Sequence, residues 1–181
     1  AWGDRFVLRR YSPALSIGGG TVLDPHPHKH RRADGATCKQ LCSLESTDVQ
    51  AVLEALLRRD EDRLCAQRQL AATCALSISE VGAILADLHG SGRVMLSGPS
   101  GDQTTLHADV ASLWSDRIAS TLADFHAEYP LRDGLRREEL RQRSARYAQS
   151  ELFDWVLSQM EAAGRVEIRC SVVCQTGHSI E

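Results

Sequence analysis

Two stretches of this chain repeat one another, and that repetition limits the fold more than any other feature. At an offset of 72 residues Val81 meets Phe153, Ile84 meets Val156, Leu85 meets Leu157 and Leu88 meets Met160. Both stretches then run into the same tripeptide, Gly92-Arg93-Val94 and Gly164-Arg165-Val166. Apolar residues matched at helical spacing before a shared stop mark one small module used twice. Each module takes roughly 65–70 residues, enough to close a small core. The first helices do not align at that offset, so the early loops differ in length.

The order inside each module is helix, helix, helix, hairpin. Thr47 and Gln50 have capping-box spacing, and Val49, Val52, Leu53, Leu56 and Leu57 form one apolar stripe. A shorter helix is predicted over Ala66–Cys74. Ser77 and Glu80 form a second capping box, with Ile78, Val81, Ile84, Leu85 and Leu88 on one face until Gly90-Ser91-Gly92 stops it. Arg93–Leu96 and Thr104–Leu106 read as strands around the turn Gly98–Gly101. In the second module Val110, Leu113, Trp114, Ile118, Leu122 and Phe125 stripe a long helix that Tyr129-Pro130 ends. Arg136–Arg143 is a short basic helix, and Leu152, Phe153, Val156, Leu157 and Met160 stripe a third. Arg165–Ile168 and Val172-Val173 pair as strands. This order is that of a winged helix. The expected fold is therefore mainly α with small β-hairpins (α+β), as tandem winged-helix domains over residues 47–108 and 109–181.

Residues 1–30 read as strand and turn. Arg5–Arg9 alternates with period two, Ser12-Pro13 breaks it, and Gly18-Gly19-Gly20 forms a tight connection. Thr21-Val22-Leu23 is a second short strand, ended by Asp24-Pro25. One such hairpin is marginal alone, so it belongs to the edge of a larger sheet or packs on the first module. The polar run from His26 carries no apolar period, and residues 31–46 are expected as a linker.

Composition narrows the functional classes. Net charge is −3 and the pI ≈ 6.2, which excludes a strongly basic nucleic-acid coat but leaves room for a local basic face. Nearly all the positive charge is Arg, whose planar fork suits phosphate or carboxylate. Six cysteines are too few for a disulfide scaffold and point to a reducing, cytoplasmic compartment. No stretch approaches the ~18 apolar residues of a membrane span, and no secretion leader opens the chain. The start at Ala1 rather than Met points to a piece of a longer protein, expected as a monomer.

Gly18-Gly19-Gly20 lacks the following Lys and Ser/Thr of a phosphate loop and reads as a structural turn. His26, His28 and His30, with Cys38 and Cys42 at Cys-x₃-Cys spacing, are the candidate metal ligands. Zinc needs four ligands converging tetrahedrally, and the other Cys-x₃-Cys pair, Cys170 and Cys174, falls on a predicted hairpin where small buried cysteines are common, so no metal is expected. No nucleophile, base and orienting group stand out, so no catalytic residue is assigned. Asp60-Glu61-Asp62 reads as a solvated helix end. The best signal is Arg132, Arg136, Arg137, Arg141, Arg143 and Arg146 against Asp133, Glu138 and Glu139, a local balance of 6 − 3 = +3. These six are candidate RNA phosphate contacts; the competing reading is a solvated helix paired with its own Glu138 and Glu139. Lys29, Arg31 and Arg32 form a second, weaker basic cluster. Ser77–His89 holds no Lys or Arg, which speaks against a DNA-binding winged-helix transcription regulator, the alternative class.

Gly3-Asp4-Arg5-Phe6-Val7-Leu8-Arg9, Ser12-Pro13, Ile17-Gly18-Gly19-Gly20 and Val22-Leu23-Asp24-Pro25 resemble the end of the third domain of bacterial selenocysteine-specific elongation factors. Phe125-His126, Pro130-Leu131-Arg132, Gly134-Leu135, Arg137-Glu138-Glu139-Leu140, Leu152-Phe153, Gly164-Arg165-Val166 and Gly177-His178 are similar to the second winged-helix repeat of that family. The resemblance implies the last strands of a tRNA-holding β-barrel followed by two winged helices. It implies an arm between a tRNA-binding GTPase body and a tip that reads an mRNA hairpin. Selenocysteyl-tRNA, the ribosome and the mRNA hairpin would be partners of the full-length factor, with only auxiliary RNA contact here. GTP and magnesium belong to the parent protein, whose G-domain motifs this chain lacks, so no cofactor is expected in the segment.

Overall fold

The computed structural model describes residues 1–27, 29 and 35–178. The order is β1 (Arg5–Arg10), β2 (Leu15–Thr21), α1 (Gly35–Ser43), α2 (Val49–Arg59), β3 (Cys65–Ala66), α3 (Gln67–Cys74), α4 (Ile78–Gly90), β4 (Val94–Ser97) and β5 (Thr104–His107). It continues with α5 (Ala108–Glu128), β6 (Leu135–Arg136), α6 (Arg137–Ser144), α7 (Ser150–Ala162), β7 (Val166–Arg169) and β8 (Val172–Gln175). The fold is α+β, with tandem winged helices. The chain forms two compact units: Ala1–Arg59 with Cys65–Thr105, and Asp60–Leu64 with the chain from Leu106 onward.

In the first unit α2 turns Val52, Leu53, Leu56 and Leu57 inward, and α4 adds Val81, Leu85 and Leu88. The capping box at Ser77 is present: Ser77 Oγ accepts from Glu80 N, and Glu80 Oε2 accepts from Ser77 N. The start of α2 differs from expectation. Asp48, not Thr47, caps it by accepting from Gln50 N at 3.0 Å. Ile78 is on the predicted stripe yet exposed, because it opens α4 before the helix meets the core.

The small sheets are richer than the sequence implied. Each wing has three strands, ordered β3-β5-β4 and β6-β8-β7. The extra strands are only two residues long, too short to display a period. β6 pairs Leu135 with Val173 and Arg136 with Val172. In the second unit α5 buries Val110, Trp114, Ile118, Leu122 and Phe125, while Leu113 turns outward. α7 buries its whole stripe, and α6 buries Leu140 alone. Asp60, expected as a solvated helix end, is buried in this unit, with both Nε and Nη2 of Arg63 on its Oδ2.

Two expectations for the N-terminal region are corrected. Gly18-Gly19-Gly20 is not the turn; the turn is residues 11–14, and the glycines lie inside β2, opposite Leu8, Val7 and Phe6. A Cβ on Gly19 would meet the Phe6 carbonyl oxygen at 2.6 Å, and the Phe6 ring covers Gly20. Glycine is there for close approach across the hairpin. The expected linker over 31–46 holds α1, which the buried Leu44 follows. Its inward side is little more than Leu41, too few positions for a legible stripe.

The hairpin itself is exposed on both faces, but its base is fixed to the first unit. Trp2 N donates to the Thr73 carbonyl at 2.7 Å and Trp2 Nε1 to the Leu44 carbonyl at 2.9 Å. Trp2 and Leu23 pack on the core of α2–α4. Arg59 and Asp24 form a largely buried ion pair at 2.6 Å.

Candidate nucleic-acid interface

The six arginines of 132–146 fall in the loop after α5 (Arg132), on β6 (Arg136), on α6 (Arg137, Arg141 and Arg143) and just beyond it (Arg146), and the structure divides them. Arg137 pairs with Asp154 of α7 at 2.5 Å. Arg141 holds Glu138 through two bonds, Nε to Oε2 at 3.1 Å and Nη2 to Oε1 at 2.8 Å. Arg143 pairs with Glu139 at 2.7 Å. Among the described residues, Arg132, Arg136 and Arg146 make no ion pair. Three guanidinium groups of this segment are thus tied to carboxylates, and the other three are exposed. The bonds from Arg141 and Gln142 hold the Glu138 carboxyl down at about 2, so this pair stays charged at any physiological pH.

Sequence distance hid Asp154, which lies 17 residues beyond Arg137 and lowers the local positive balance. The arginines also have aromatic partners, of which only Phe125 is distant in sequence. Arg132 lies 5.0 Å over the Tyr129 ring, Arg143 5.7 Å over Phe125, and Arg146 5.5 Å over Tyr147. Arg136 sits opposite Val172 in β8, which is in turn opposite Arg169 in β7, so a second small basic patch flanks the wing. Arg169 is tied to Glu167 at 2.8 Å. Lys29 is exposed, and Arg31 and Arg32 lie outside the described residues. Among the described residues no three His, Cys, Asp or Glu side chains converge as metal ligands.

Two motifs far apart in sequence meet here. His126 of α5 stacks on His178 at 3.7 Å between ring centroids. Gln175 N donates to His126 Nε2, and His178 Nε2 donates to the Arg132 carbonyl at 3.1 Å. An Nε2 that accepts a backbone N–H must be unprotonated. Burial, and then the neighbouring His178, push the His126 value below that of an ordinary histidine. Folding therefore favours neutral His126. Its stabilising effect is present above the unfolded value of about 6.5 and is lost as pH falls from there toward the lower folded value. The second unit should melt at lower temperature at pH 5.5 than at pH 7.5. In His126→Gln that pH difference should shrink, as read by melts in matched buffers.

Known proteins are similar to part of the second unit and, more weakly, to the chain as a whole. Residues 119–173 match the family described as elongation factor SelB, winged helix. A selenocysteine-specific elongation factor of Desulfomicrobium baculatum is 23% identical over 190 residues, covering 99% of this chain and 28% of that protein. The chain thus spans little more than a quarter of the length of the curated relative it matches. The solved mRNA-binding domain of elongation factor SelB from E. coli, in complex with SECIS RNA, covers 72% of this chain and 99% of its own, with 14% identity and a TM-score of 0.49.

Proposed function

We propose that this chain, as a winged-helix segment of the selenocysteine-specific elongation factor family to which it belongs, is an arm tying a tRNA-carrying barrel to the part of the factor that reads the mRNA hairpin. The observation that carries this reading is the fixed base of the N-terminal hairpin. Strands β1 and β2 expose Val7, Leu8 and Ile17, apolar positions that a completed barrel would cover. Yet Trp2, Leu23 and the Asp24–Arg59 pair fasten the same hairpin to the first winged helix. A barrel built on those strands would be coupled to the module without a slack joint.

In this reading the segment catalyses nothing. GTP and magnesium would be held elsewhere in the factor, which works in the cytoplasm with selenocysteyl-tRNA and the ribosome. No single helix among the described residues is long and apolar enough to cross a membrane. Arg132, Arg136 and Arg146 would supply auxiliary RNA contact, with Arg137, Arg141 and Arg143 held back by their carboxylates. Lys29, Arg31 and Arg32 would be a weaker contact. The duplex-DNA alternative finds no support, since α4 presents no Lys or Arg.

Trp2→Ala tests the coupling. In a full-length factor carrying this segment, selenocysteine insertion at a UGA reporter should fall several-fold, while GTP hydrolysis without the ribosome is unchanged. Insertion at the wild-type level, with the hairpin amides exchanging faster, would show that a loose joint suffices and end the proposal.

A further inference from the structure

The clustered arginines differ in a way that bears on what they hold. Three are committed to carboxylates, and two of the other three lie against tyrosines. Tyr129 closes α5 with its ring 5.3 Å from that of Phe125 and tilted 40° to it, with Arg132 over the Tyr129 ring and Arg143 over that of Phe125. The result is a run of cation, ring, ring, cation. Leu131 beside it is 75% exposed. Tyr147 follows α6, is 81% exposed, and carries Arg146. Neither Tyr147 nor Leu131 has a packing role that would explain so much exposed apolar surface.

Part of the positive charge around these rings is offset: Arg143 is paired with Glu139, and Glu128 takes a bond from the Tyr129 hydroxyl. A phosphate backbone gains affinity from uncompensated cations that displace its counterions, and such a surface offers few. Exposed rings edged by guanidinium planes instead suit the π-face of a base that has left its stack. A base inside a duplex has both faces covered and cannot use them.

We propose that Tyr147 with Arg146, and the guanidinium plane of Arg132 where it covers Tyr129, are stacking platforms of the second unit for unstacked nucleobases in a loop, bulge or single-stranded stretch of RNA. This rests on the RNA contact proposed above and changes its kind, from phosphate to base face. It makes the contact tolerant of sequence and selective for unpaired RNA.

The test uses the whole chain and two labelled probes, a single-stranded RNA of about 12 nucleotides, within the span such surfaces cover, and a blunt RNA duplex of equal length. Tyr147→Ala should weaken single-strand binding roughly tenfold, leave duplex binding unchanged and keep the salt slope. Tyr147→Phe should bind as the parent does. Tyr129→Ala should lose a similar factor, and because Tyr129 touches Phe125 its melting curve is recorded alongside. Tyr147 is almost wholly exposed, so its variants test the platform without that concern. If RNA binding persists and neither Tyr→Ala change alters single-strand affinity, the platforms are wrong and a phosphate contact stands. If neither probe binds at any salt concentration, the wider RNA-contact reading fails with them.

Discussion

Arg93→Ala should destabilise the first unit by about 3 kcal/mol, whereas Arg165→Ala, at the same place in the repeat, should cost the second about 1 kcal/mol or less. Both arginines immediately precede the strand after the third helix of their module, and both reach back to a carboxylate on the first. Arg93 Nη2 lies 2.5 Å from Glu54 of α2, and Arg165 Nη2 lies 3.1 Å from Asp116 of α5. The difference is in what the carboxylate would be left with. Asp116 is 72% exposed, so water replaces the lost partner. The Glu54 side chain is 4% exposed, and its Oε1 already has no hydrogen-bond partner. Arg58, at 3.7 Å from Oε2, compensates only in part. Removing the close partner strands a buried charge, which is the costly way to break an ion pair. The Arg93 side chain is itself half-exposed, which keeps the cost at the low end of that range. Hydrogen exchange read separately in each unit checks the contrast. Glu54→Gln combined with Arg93→Ala should recover much of the loss, since it removes the stranded charge. Equal losses in the two single variants would show that burial of the carboxylate does not decide the outcome.

The shared Gly-Arg-Val was legible as a stop signal, but its arginine reads as an ordinary surface residue until the fold brings the first helix beside it. Other polar links show the same limit. Gln67 and Gly82 in the first unit occupy the repeat positions of Arg137 and Asp154 in the second. In the first, buried Gln67 donates from Nε2 to the Ile78 carbonyl at 2.7 Å, in space that Gly82 leaves open. In the second, an exposed ion pair joins the same two helices. One connection is made with two chemistries, so residue identity does not reveal it. Apolar stripes survive because a core asks for volume and periodicity, which Val, Ile, Leu, Phe and Met can all supply. The offset of 72 holds for α4 with α7 and β4 with β7, but falls to 70 for α3 with α6 and to 68 for β5 with β8. The shifts sit in the loop before the third helix and at the wing tip, where insertions cost little. Of the candidate site, the basic segment was visible as composition. Its division into paired, stacked and free arginines was not, because that depends on Asp154, Phe125 and Tyr129 in neighbouring helices.

Gly134→Ala should destabilise the second unit by about 2–4 kcal/mol, through overpacking and backbone strain together. Gly134 leads into β6 with φ +157. A Cβ there would collide with the Val173 carbonyl oxygen and press on the Val172 side chain at 3.0 Å. Those two residues are the partners of Leu135 and Arg136 in the ladder, so the strand cannot back away without giving up its bonds to β8. The obstacle is main chain rather than a side-chain end that could rotate aside. The first winged-helix repeat has Leu64 at the matching place, before β3, so glycine is a demand of this approach and not of the winged-helix pattern. Because Arg136 is the second residue of the same two-residue strand, loosening β6 should also release this arginine, which makes no ion pair among the described residues. Melting of Gly134→Ala should therefore shift by on the order of 10 °C or more. A melt within about 2 °C of the parent, in a range where small surface changes fall, would mean that β6 can re-register around the methyl group and that its two ladder pairs do not fix Arg136.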